Sequence, residues 1–353
     1  MSGVLEVLVM KERHKSAYSE YISTNSSASI YHTLQWHEVI KEVYEYKPLY
    51  LLALESGKIV GALPMFLVET LIGGRRLVSL PFSHMVMPLA DRDEVLSALL
   101  VEAKDMLEQS GAEYLEIKSS FEHDPKGYVQ RSKFWRTELI LDRPEDQLFK
   151  GFDSGVRRAI RKAENSNVRV EKLSFTSALD DFYGLMLETR RRQGSPVYSR
   201  HFFDVLARQF DVTGNVAFYG AYLNSSLISG LIMLFHGEVA LYAYGASTSS
   251  KELMAFRPNN LLFWYAIKEA KVSGYHYFDF GVTHIDNESL LRFKNGWGGV
   301  SNRLFYSYCL SEGKIMPKMS RAGFMFEITS GAFKKMPLWL SRRLGPVVIR
   351  QFG

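Results

Sequence analysis

The chain has 353 residues, 46% of them hydrophobic, which is enough for two domains that each bury a core. The single cysteine, Cys309, excludes an intramolecular disulfide and any metal site built from several cysteines, and it favours a reducing compartment. No apolar run approaches the roughly 20 residues that span a bilayer, and the first residues lack the basic-then-apolar order of a secretory signal. We therefore expect a cytoplasmic protein.

The spacing of apolar residues predicts the same order of elements twice. In each half two helices come first, three strands joined by tight turns follow, and a third helix leads into a final strand. In the first half the predicted helices are 16–23, 34–43 and 94–109, and the predicted strands are 49–54, 58–68, 77–78 and 114–117. In the second half the predicted helices are 178–192, 200–210 and 260–272, and the predicted strands are 216–223, 227–235, 239–244 and 275–280.

This repeat predicts an α/β fold of two tandem domains, each with a mixed, mostly antiparallel sheet flanked by helices. The final strand of each domain should pair parallel to an earlier strand, because the helix before it makes a crossover connection. A sheet that splays at that pair leaves a cleft. The polar turn Asp142-Arg143-Pro144-Glu145 marks the boundary. We predict a first domain over 1–145, a second domain with the candidate active site over 146–311, and a tail over 312–353.

A basic helix is predicted just after that boundary, from Gly155 to about Asn165, with Asp153-Ser154 as its cap. Its basic residues fall on one arc of the helix and its apolar residues on the other. The stripe either faces solvent or binds the phosphate groups of a substrate. The four residues of this stripe are Arg157, Arg158, Arg161 and Lys162, and of these we predict that Arg157 and Arg161 bind the substrate.

The segment from Leu291 to Gly299 has the composition of a binding-site wall. Phe293 and Trp297 offer flat apolar surfaces beside Arg292, and three glycines would let the backbone approach a ligand closely. Lys294 could stabilise the oxyanion of a tetrahedral intermediate in acyl transfer. The alternative is a surface lysine beside a glycine turn.

Other candidate residues lie at the ends of strands and at a helix start. Strand alternation places Tyr242 and Tyr244 on one face, and the helix that starts near Arg257 and Asn259 offers an N-terminus to an anionic group. Asp279 ends the predicted parallel strand, where it could accept a proton from an attacking amine or cap local backbone donors.

The histidine spacing and the absence of GxSxG and GxxxxGK[ST] argue against metal, serine-hydrolase and P-loop chemistry.

The tail from residue 312 is strongly basic. It holds eight lysines and arginines against Glu312 and Glu327, so its net charge is +6, while the whole chain carries +5. Aromatic residues, among them Phe324, Phe326 and Trp339, are interleaved with these cations. Such a segment suits an anionic membrane surface or RNA; alternatively it is a solvated terminal helix, limited by Pro337 and Pro346 to about two turns.

Several segments, in this order, resemble the Fem aminoacyltransferases, and more closely the Fem-related acyltransferases of the GNAT superfamily found with exopolysaccharide and cell-envelope gene sets. The resemblance covers about residues 30 to 310 and extends to 336–350. It is carried by Val156 to Val168, Arg191 to Phe203, Tyr242 to Ser247, Arg257 to Leu262, Tyr277 to Gly281 and Leu291 to Gly298.

The resemblance implies tandem GNAT-like domains and transfer of an acyl or aminoacyl group to an amine. It implies no tightly bound cofactor; the donor, an aminoacyl-tRNA, an acyl carrier or acyl-CoA, is a co-substrate. Phe293 and Lys294 match the family's Phe-Lys pair, whose lysine contacts phosphate or the developing oxyanion. The chain departs from the family in lacking the long charged helical arm of some Fem enzymes. Gly245-Ala246-Ser247-Thr248 also replaces the Q/R-x-x-G-x-G/A loop of ordinary GNAT enzymes.

We therefore expect one function and keep two alternatives. The first is an acyltransferase that forms an amide on an amino group of a nucleotide-linked or lipid-linked cell-envelope or exopolysaccharide precursor, with tRNA as a candidate donor and with peripheral contact to the inner face of the membrane through the tail. The second is an acetyl-CoA-dependent N-acetyltransferase. The third is a double-domain binding or assembly protein without catalysis.

Overall fold

The computed structural model describes residues 4–119, 127–314 and 330–353, and these residues form two compact units. Among the described residues, the first unit holds those up to Lys133, then 304–314 and 350–353. The second unit holds Phe134–Arg303 and 330–349. The contiguous ranges 1–145, 146–311 and 312–353 differ from this division, because two strands each contribute residues to both units.

Among the described residues, the first unit has three α-helices and eight strands of its own. The helices are α1 (Lys15–Thr24), α2 (Leu34–Tyr44) and α3 (Asp93–Ser110). The strands are β1 (Leu5–Val9), β2 (Lys47–Pro48), β3 (Leu51–Glu55), β4 (Lys58–Leu63), β5 (Phe66–Thr70), β6 (Gly74–Val78), β7 (Leu89–Ala90) and β8 (Tyr114–Ile117). The two strands shared between the units are β9 (Tyr128–Ile140) and β15 (Val300–Leu310).

The second unit has further helices beside those of the predicted repeat, and the strands of its meander are longer than those of the first unit. Its strands are β10 (Arg169–Leu173), β11 (Val216–Leu223), β12 (Ser226–His236), β13 (Val239–Ser247) and β14 (Tyr277–His284). Its helices are α4 (Glu145–Gly151), α5 (Ser154–Asn165), α6 (Phe175–Gln193), α7 (Arg200–Asp211), α8 (Lys251–Met254), α9 (Pro258–Val272), α10 (Glu288–Asn295), α11 (described over 330–335) and α12 (Leu338–Ile349).

The sheet of the second unit runs in the order β10-β11-β12-β13-β14-β9. Strands β10 to β13 are antiparallel neighbours, and β14 pairs parallel to β13, as the crossover through α9 requires. Helices α5 and α9 cover one face, where Ile160, Ile267 and Phe278 lie in one buried cluster. Helix α6 packs against β12 and β13. Both the α/β class and the predicted parallel pair are confirmed.

The first unit departs from the predicted three-strand meander. The predicted strand 58–68 is two strands, β4 and β5, interrupted at Pro64 and Met65. Strand β4 belongs to the sheet β1-β3-β4-β7, whereas β5 lies in the order β15-β8-β6-β5-β2. Proline explains the break, because it cannot donate a hydrogen bond to a neighbouring strand. The predicted parallel pair is present here too, between β6 and β8.

The predicted tail is only partly within the described residues. Lys318, Arg321, Phe324 and Phe326 lie outside them. The part that is described includes α12, whose twelve residues exceed the two turns expected from Pro337 and Pro346. Pro346 lies inside this helix, which packs against α6. None of the described helices combines the length and apolarity needed to cross a membrane.

Candidate functional site

The sheet of the second unit opens where its parallel pair ends. Strands β13 and β14 pair from Val239–Tyr277 to Leu241–Asp279, and β13 then continues to Ser247. Just beyond the last pair, Gly281 has a φ of +69°, a conformation that favours glycine. The pairing of β14 with β9 also shifts register between Asp279 and Val282. This irregularity turns β14 at the position where the sequence predicts a splayed sheet.

A cleft of about 820 Å³ lies among α5, α9 and α10 of this unit. The first turn of α5, with Ser154 and Gly155, forms one side, and the first turn of α9, with Asn259 and Asn260, forms another. Neither helix has a side-chain cap on its N-terminal N–H groups. Uncapped N–H groups and the positive end of a helix dipole both favour an anion.

The side chains of the cleft strengthen that preference. Arg158 and Lys162 of α5, Arg257 at the start of α9 and Arg292 of α10 all line it, and Asp153 is the one acidic residue in the lining. Four cations against one carboxylate leave a net charge of +3 among these five side chains. Three segments that the sequence singled out, separated by up to about 140 positions, therefore meet in one cationic cleft.

Arg257 and Asn259 occupy defined places at the start of α9. Arg257 has a φ of +62°, and this left-handed conformation is costly for a residue with a side chain. The Asn259 carboxamide oxygen accepts a hydrogen bond from the Ser229 hydroxyl at 2.6 Å, which ties the helix start to β12. The exposed Arg257 side chain therefore projects from a fixed backbone position into the cleft.

The basic stripe of α5 is divided between two surfaces. Arg158 and Lys162 line the cleft, but Arg157 and Arg161, the two that the sequence prediction favoured, do not. Arg157 donates to the backbone carbonyls of Lys150 and Phe152. Arg161 lies over the Phe149 ring at 5.6 Å, beside a different surface depression. All four residues lie on the polar side of this amphipathic helix, so helical periodicity alone does not separate the two that line the cleft from the two that do not.

Tyr242 and Tyr244 point to opposite faces of β13, so the prediction that they share a face is wrong. The pairing with β12 shifts by one residue between them, because Ala243 is the extra residue of a β-bulge. The Tyr242 ring packs on Phe263 of α9 at 4.7 Å, and burial raises its pKa to about 12. The Tyr244 ring packs on Phe202 of α7 at 5.6 Å.

The segment from Leu291 to Gly299 contributes less to the cleft than its composition suggests. Arg292 and Phe293 line the cleft, and both lie on α10, a helix that the sequence analysis did not predict. Trp297 is fully buried and packs on Phe152 at 5.1 Å, so it is a core residue and not a ligand wall.

The glycines of this segment approach the protein's own chain. A Cβ on Gly299 would lie 2.8 Å from the Thr137 methyl group. A Cβ on Gly296 would lie 3.3 Å from the Asp153 carboxylate. The backbone amide of Asp153 also donates to the Gly296 carbonyl at 2.8 Å, so these glycines bring α10 close to the start of α5. Gly299 thus packs against β9, whereas Gly296 both packs against the start of α5 and lines the cleft.

Lys294 is buried, with 4% of its surface exposed, and it does not line the cleft. Its ammonium donates to the backbone carbonyls of Gly281 and Val282 at 3.0 and 2.9 Å. Burial lowers the pKa of Lys294 to about 8, and the nearby Asp279 carboxylate opposes that shift. The lysine thus fastens α10 to the irregular turn of β14, and its oxyanion role stays a prediction.

Asp279 is held in a charged cluster that the sequence did not reveal. One carboxylate oxygen accepts from the Arg136 side chain at 2.9 Å, and the other accepts from the Gly281 backbone amide at 2.7 Å. Arg136 also pairs with Glu138 at 2.8 Å. Burial raises the pKa of Glu138; the Arg136 charge opposes this shift, and the Asp279 charge adds to it. Asp279 therefore caps the turn of β14, and Glu138 is the more accessible carboxylate, with 24% of its side chain exposed.

Comparisons with known proteins agree with this geometry. The family model described as an acetyltransferase (GNAT) domain matches residues 151–294, which include α5, β11 to β14, α9 and most of α10. No curated protein sequence matches the chain.

Solved structures share the fold over most of the chain. FemX has a TM-score of 0.69 at 17% identity, with 86% of this chain and 97% of that chain covered. The C-terminal domain of a putative lysylphosphatidylglycerol synthetase from Agrobacterium fabrum has a TM-score of 0.56 at 9% identity, covering 90% and 96%. A tandem GNAT protein from the clavulanic acid biosynthesis pathway has a TM-score of 0.53 at 12% identity, covering 86% and 98%. The chain therefore has the Fem-like tandem GNAT fold that its sequence predicts, and residues 151–294, less than half of its length, match the family model of a GNAT acetyltransferase domain.

Proposed function

We propose that this protein is an acyltransferase that holds the phosphate-bearing part of an activated acyl donor in the cationic cleft of its second unit and transfers the acyl group to an amine. The observation that carries the proposal is the meeting of two uncapped helix N-termini with Arg158, Lys162, Arg257 and Arg292. Phosphate groups suit such a site because N–H groups and cations can bind several oxygens at once.

The reaction would take place at the opening between β13 and β14. The amine nitrogen attacks the acyl carbon and a C–N bond forms. The bond from that carbon to the sulfur or oxygen of the donor breaks, and the proton that the amine loses ends on the departing thiol or alcohol. A carboxylate with a raised pKa can accept that proton. Both carboxylates pair with Arg136, but Glu138 fits this role better because 24% of its side chain is exposed, whereas Asp279 is buried and also accepts from the Gly281 amide.

The donor and the acceptor are further parts of the proposal. Aminoacyl-tRNA, acyl carriers and acyl-CoA all carry phosphate groups, so the cleft suits each of them. The similarity in fold to FemX and to a domain of a putative lysylphosphatidylglycerol synthetase supports an aminoacyl donor, and the GNAT domain match supports acyl-CoA. As acceptor we propose an amino group on a cell-envelope or exopolysaccharide precursor.

The test combines a donor screen with charge-neutral variants of the cleft. Transfer of a labelled acyl group is measured from each donor class to an amine acceptor, and donor binding is measured by calorimetry. Arg158→Gln and Lys162→Gln should each weaken donor binding by roughly ten-fold to a hundred-fold, since hydrogen bonds to charged groups contribute about 1.5–3 kcal/mol.

Arg161→Gln is the matched control, because Arg161 lies on the same helix but outside the cleft. Its donor affinity should stay within about two-fold of the parent, as for an exposed residue without a ligand contact. Equal losses for Arg161→Gln and Arg158→Gln would contradict the assignment of the cleft. Absence of transfer from every donor class would favour a binding or assembly protein instead.

A further inference from the structure

Helix α12 is fixed to the second unit by one narrow face. Ser341, Gly345 and Ile349 are buried and lie four residues apart along the helix. Gly345 allows a close approach, since a Cβ at this position would lie 2.6 Å from a methyl group of Val197. The Arg342 guanidinium lies 5.7 Å from the centre of the Tyr183 ring. These contacts fix the orientation of α12 on the unit, so they also fix which face of the helix points to solvent.

That opposite face exposes large apolar side chains. Trp339 is 64% exposed, Val347 62% and Leu344 42%. Trp339, Arg343 and Val347 follow one another at intervals of four residues, so they form a row along the helix. No other described helix has more than one exposed large apolar side chain. Scattered exposed residues need no explanation, but a row of them on a packed helix indicates an interaction surface.

The charge around this row has one sign. Residues 330–350 contain Lys334, Lys335, Arg342, Arg343 and Arg350 and no acidic residue, a net charge of +5. Arg350 pairs with Glu45, and Arg342 covers Tyr183. Lys334, Lys335 and Arg343 are exposed and form no ion pair with the described residues. Arg343 thus stands within the row of α12, and Lys334 and Lys335 are exposed on α11, the helix that immediately precedes α12 in the chain.

We propose that the solvent face of α12 docks on an anionic membrane surface. A leaflet accepts both parts of this face, because its headgroup phosphates bind cations and its acyl boundary takes up tryptophan, leucine and valine side chains. RNA would satisfy the cations but would leave Val347 and Leu344 in water, so the lipid surface is the better fit. The helix would lie parallel to the membrane.

Vesicle flotation tests this proposal with the full chain. The parent protein should float with vesicles of equal parts phosphatidylcholine and phosphatidylglycerol, should remain unbound with pure phosphatidylcholine, and should be released by added salt. The variant Lys334→Gln/Lys335→Gln/Arg343→Gln should bind on the order of a hundred-fold more weakly, because each cation near an anionic surface contributes about five-fold.

A matched control removes three exposed lysines elsewhere, as Lys58→Gln/Lys172→Gln/Lys251→Gln. This control should bind vesicles within a few-fold of the parent. Equal binding by parent and α12 variant would overturn the proposal, as would equal binding to both kinds of vesicle. Binding to RNA without flotation on either vesicle would also overturn it.

Tryptophan fluorescence gives a second readout that does not depend on charge. Of the five tryptophans, Trp36, Trp264 and Trp297 are buried and Trp339 is exposed. Anionic vesicles should shift the emission of the parent to shorter wavelength, since the Trp339 indole leaves water, and Trp339→Phe should abolish the shift. A shift that persists in Trp339→Phe, or no shift for a protein that floats, would show that α12 does not contact the lipid.

Discussion

Arg257 combines two properties that usually exclude each other at a single residue. Its cationic side chain lines the cleft, while its backbone adopts a φ of +62° that glycine tolerates far better. Strained backbone is often found where a ligand is bound, because the fold holds the residue in place at a cost in stability. The conformation and the charge can be separated by substitution.

We expect Arg257→Gly to raise the free energy of unfolding by about 0.5–1 kcal/mol, because glycine relieves the left-handed strain at a small entropic cost. The same change should weaken donor binding by about ten-fold through loss of one cation. Thermal denaturation and calorimetry measure the two effects. Stabilisation together with unchanged donor affinity would remove Arg257 from the site.

Lys294 is buried, although its position beside a glycine turn suggests an exposed lysine. Its burial, and its bonds to the carbonyls of Gly281 and Val282, give it a structural contribution in addition to any effect on the reaction. The local sequence does not reveal this burial, because the residues that enclose the side chain are not its neighbours in the chain.

We expect Lys294→Met to lower the free energy of unfolding by about 1–3 kcal/mol, because two backbone carbonyls lose their donor while the volume is kept. Lys294→Ala should cost more, through the cavity that it adds. Urea denaturation measures both variants. If Lys294→Met, measured where it remains folded, transfers acyl groups at the parent's rate, the predicted oxyanion role is wrong.

At the scale of elements, periodicity is a good guide to helices and a poor one to their contacts. The predicted helices 34–43 and 94–109 agree with α2 and α3 within a residue at each end. Helix α10 does not follow from the sequence, because the glycines at 296, 298 and 299 directly after it are typical of a loop. One bulge in β13 reversed the facing of Tyr242 and Tyr244, since a single extra residue exchanges the faces of all that follow.

Two glycines of the second unit should respond oppositely to alanine. Gly299→Ala places a Cβ against Thr137 on β9 and should lower the free energy of unfolding by about 1–3 kcal/mol. Gly184→Ala lies inside α6 with open space around it and should raise that free energy by up to about 1 kcal/mol. Circular-dichroism melts compare them. A loss for Gly184→Ala, or no loss for Gly299→Ala, would contradict the packing described.

At the scale of the whole molecule, each unit buries one lysine beside its parallel strand pair. Lys118, which follows β8, donates to the carbonyls of Leu80 and Ser83. Lys294 donates to two carbonyls of β14. Burial lowers the pKa of each to about 8. Both units thus hold a buried lysine, whereas the cationic cleft belongs to the second unit.

These two lysines should make stability rise with pH. In the unfolded chain both bind protons up to about pH 10.4, but in the folded state they release them near pH 8. The unfolded state therefore holds more protons above pH 8, and the free energy of unfolding should increase by up to about 1.4 kcal/mol per pH unit for each lysine until tyrosines ionise near pH 10. Below pH 8 both states are protonated and this contribution is constant.

Urea denaturation measures the slope between about pH 7 and pH 10, and the upper limit is set by the ordinary pKa values of lysine and tyrosine, which are roughly 10. Lys118→Met/Lys294→Met should flatten the curve, whereas Lys172→Met, at an exposed position, should leave it unchanged. A rise that survives in the double variant would place its origin in other groups.

The sequence by itself determined the main helices and strands of the repeat, the parallel pair in each unit and the segments that carry cations, but neither α10 nor the division of 58–68 into β4 and β5. What it determined follows from periods of two and about 3.6 residues, from turns and from crossover rules, all of which act over short stretches of chain. Only the tertiary structure decided that Arg158 and Arg292 share a cleft that Arg161 does not, and that Trp297 and Lys294 are buried. Those outcomes depend on contacts such as that between Asp153 and Gly296, whose partners lie far apart in sequence and meet only when the sheet closes over its core.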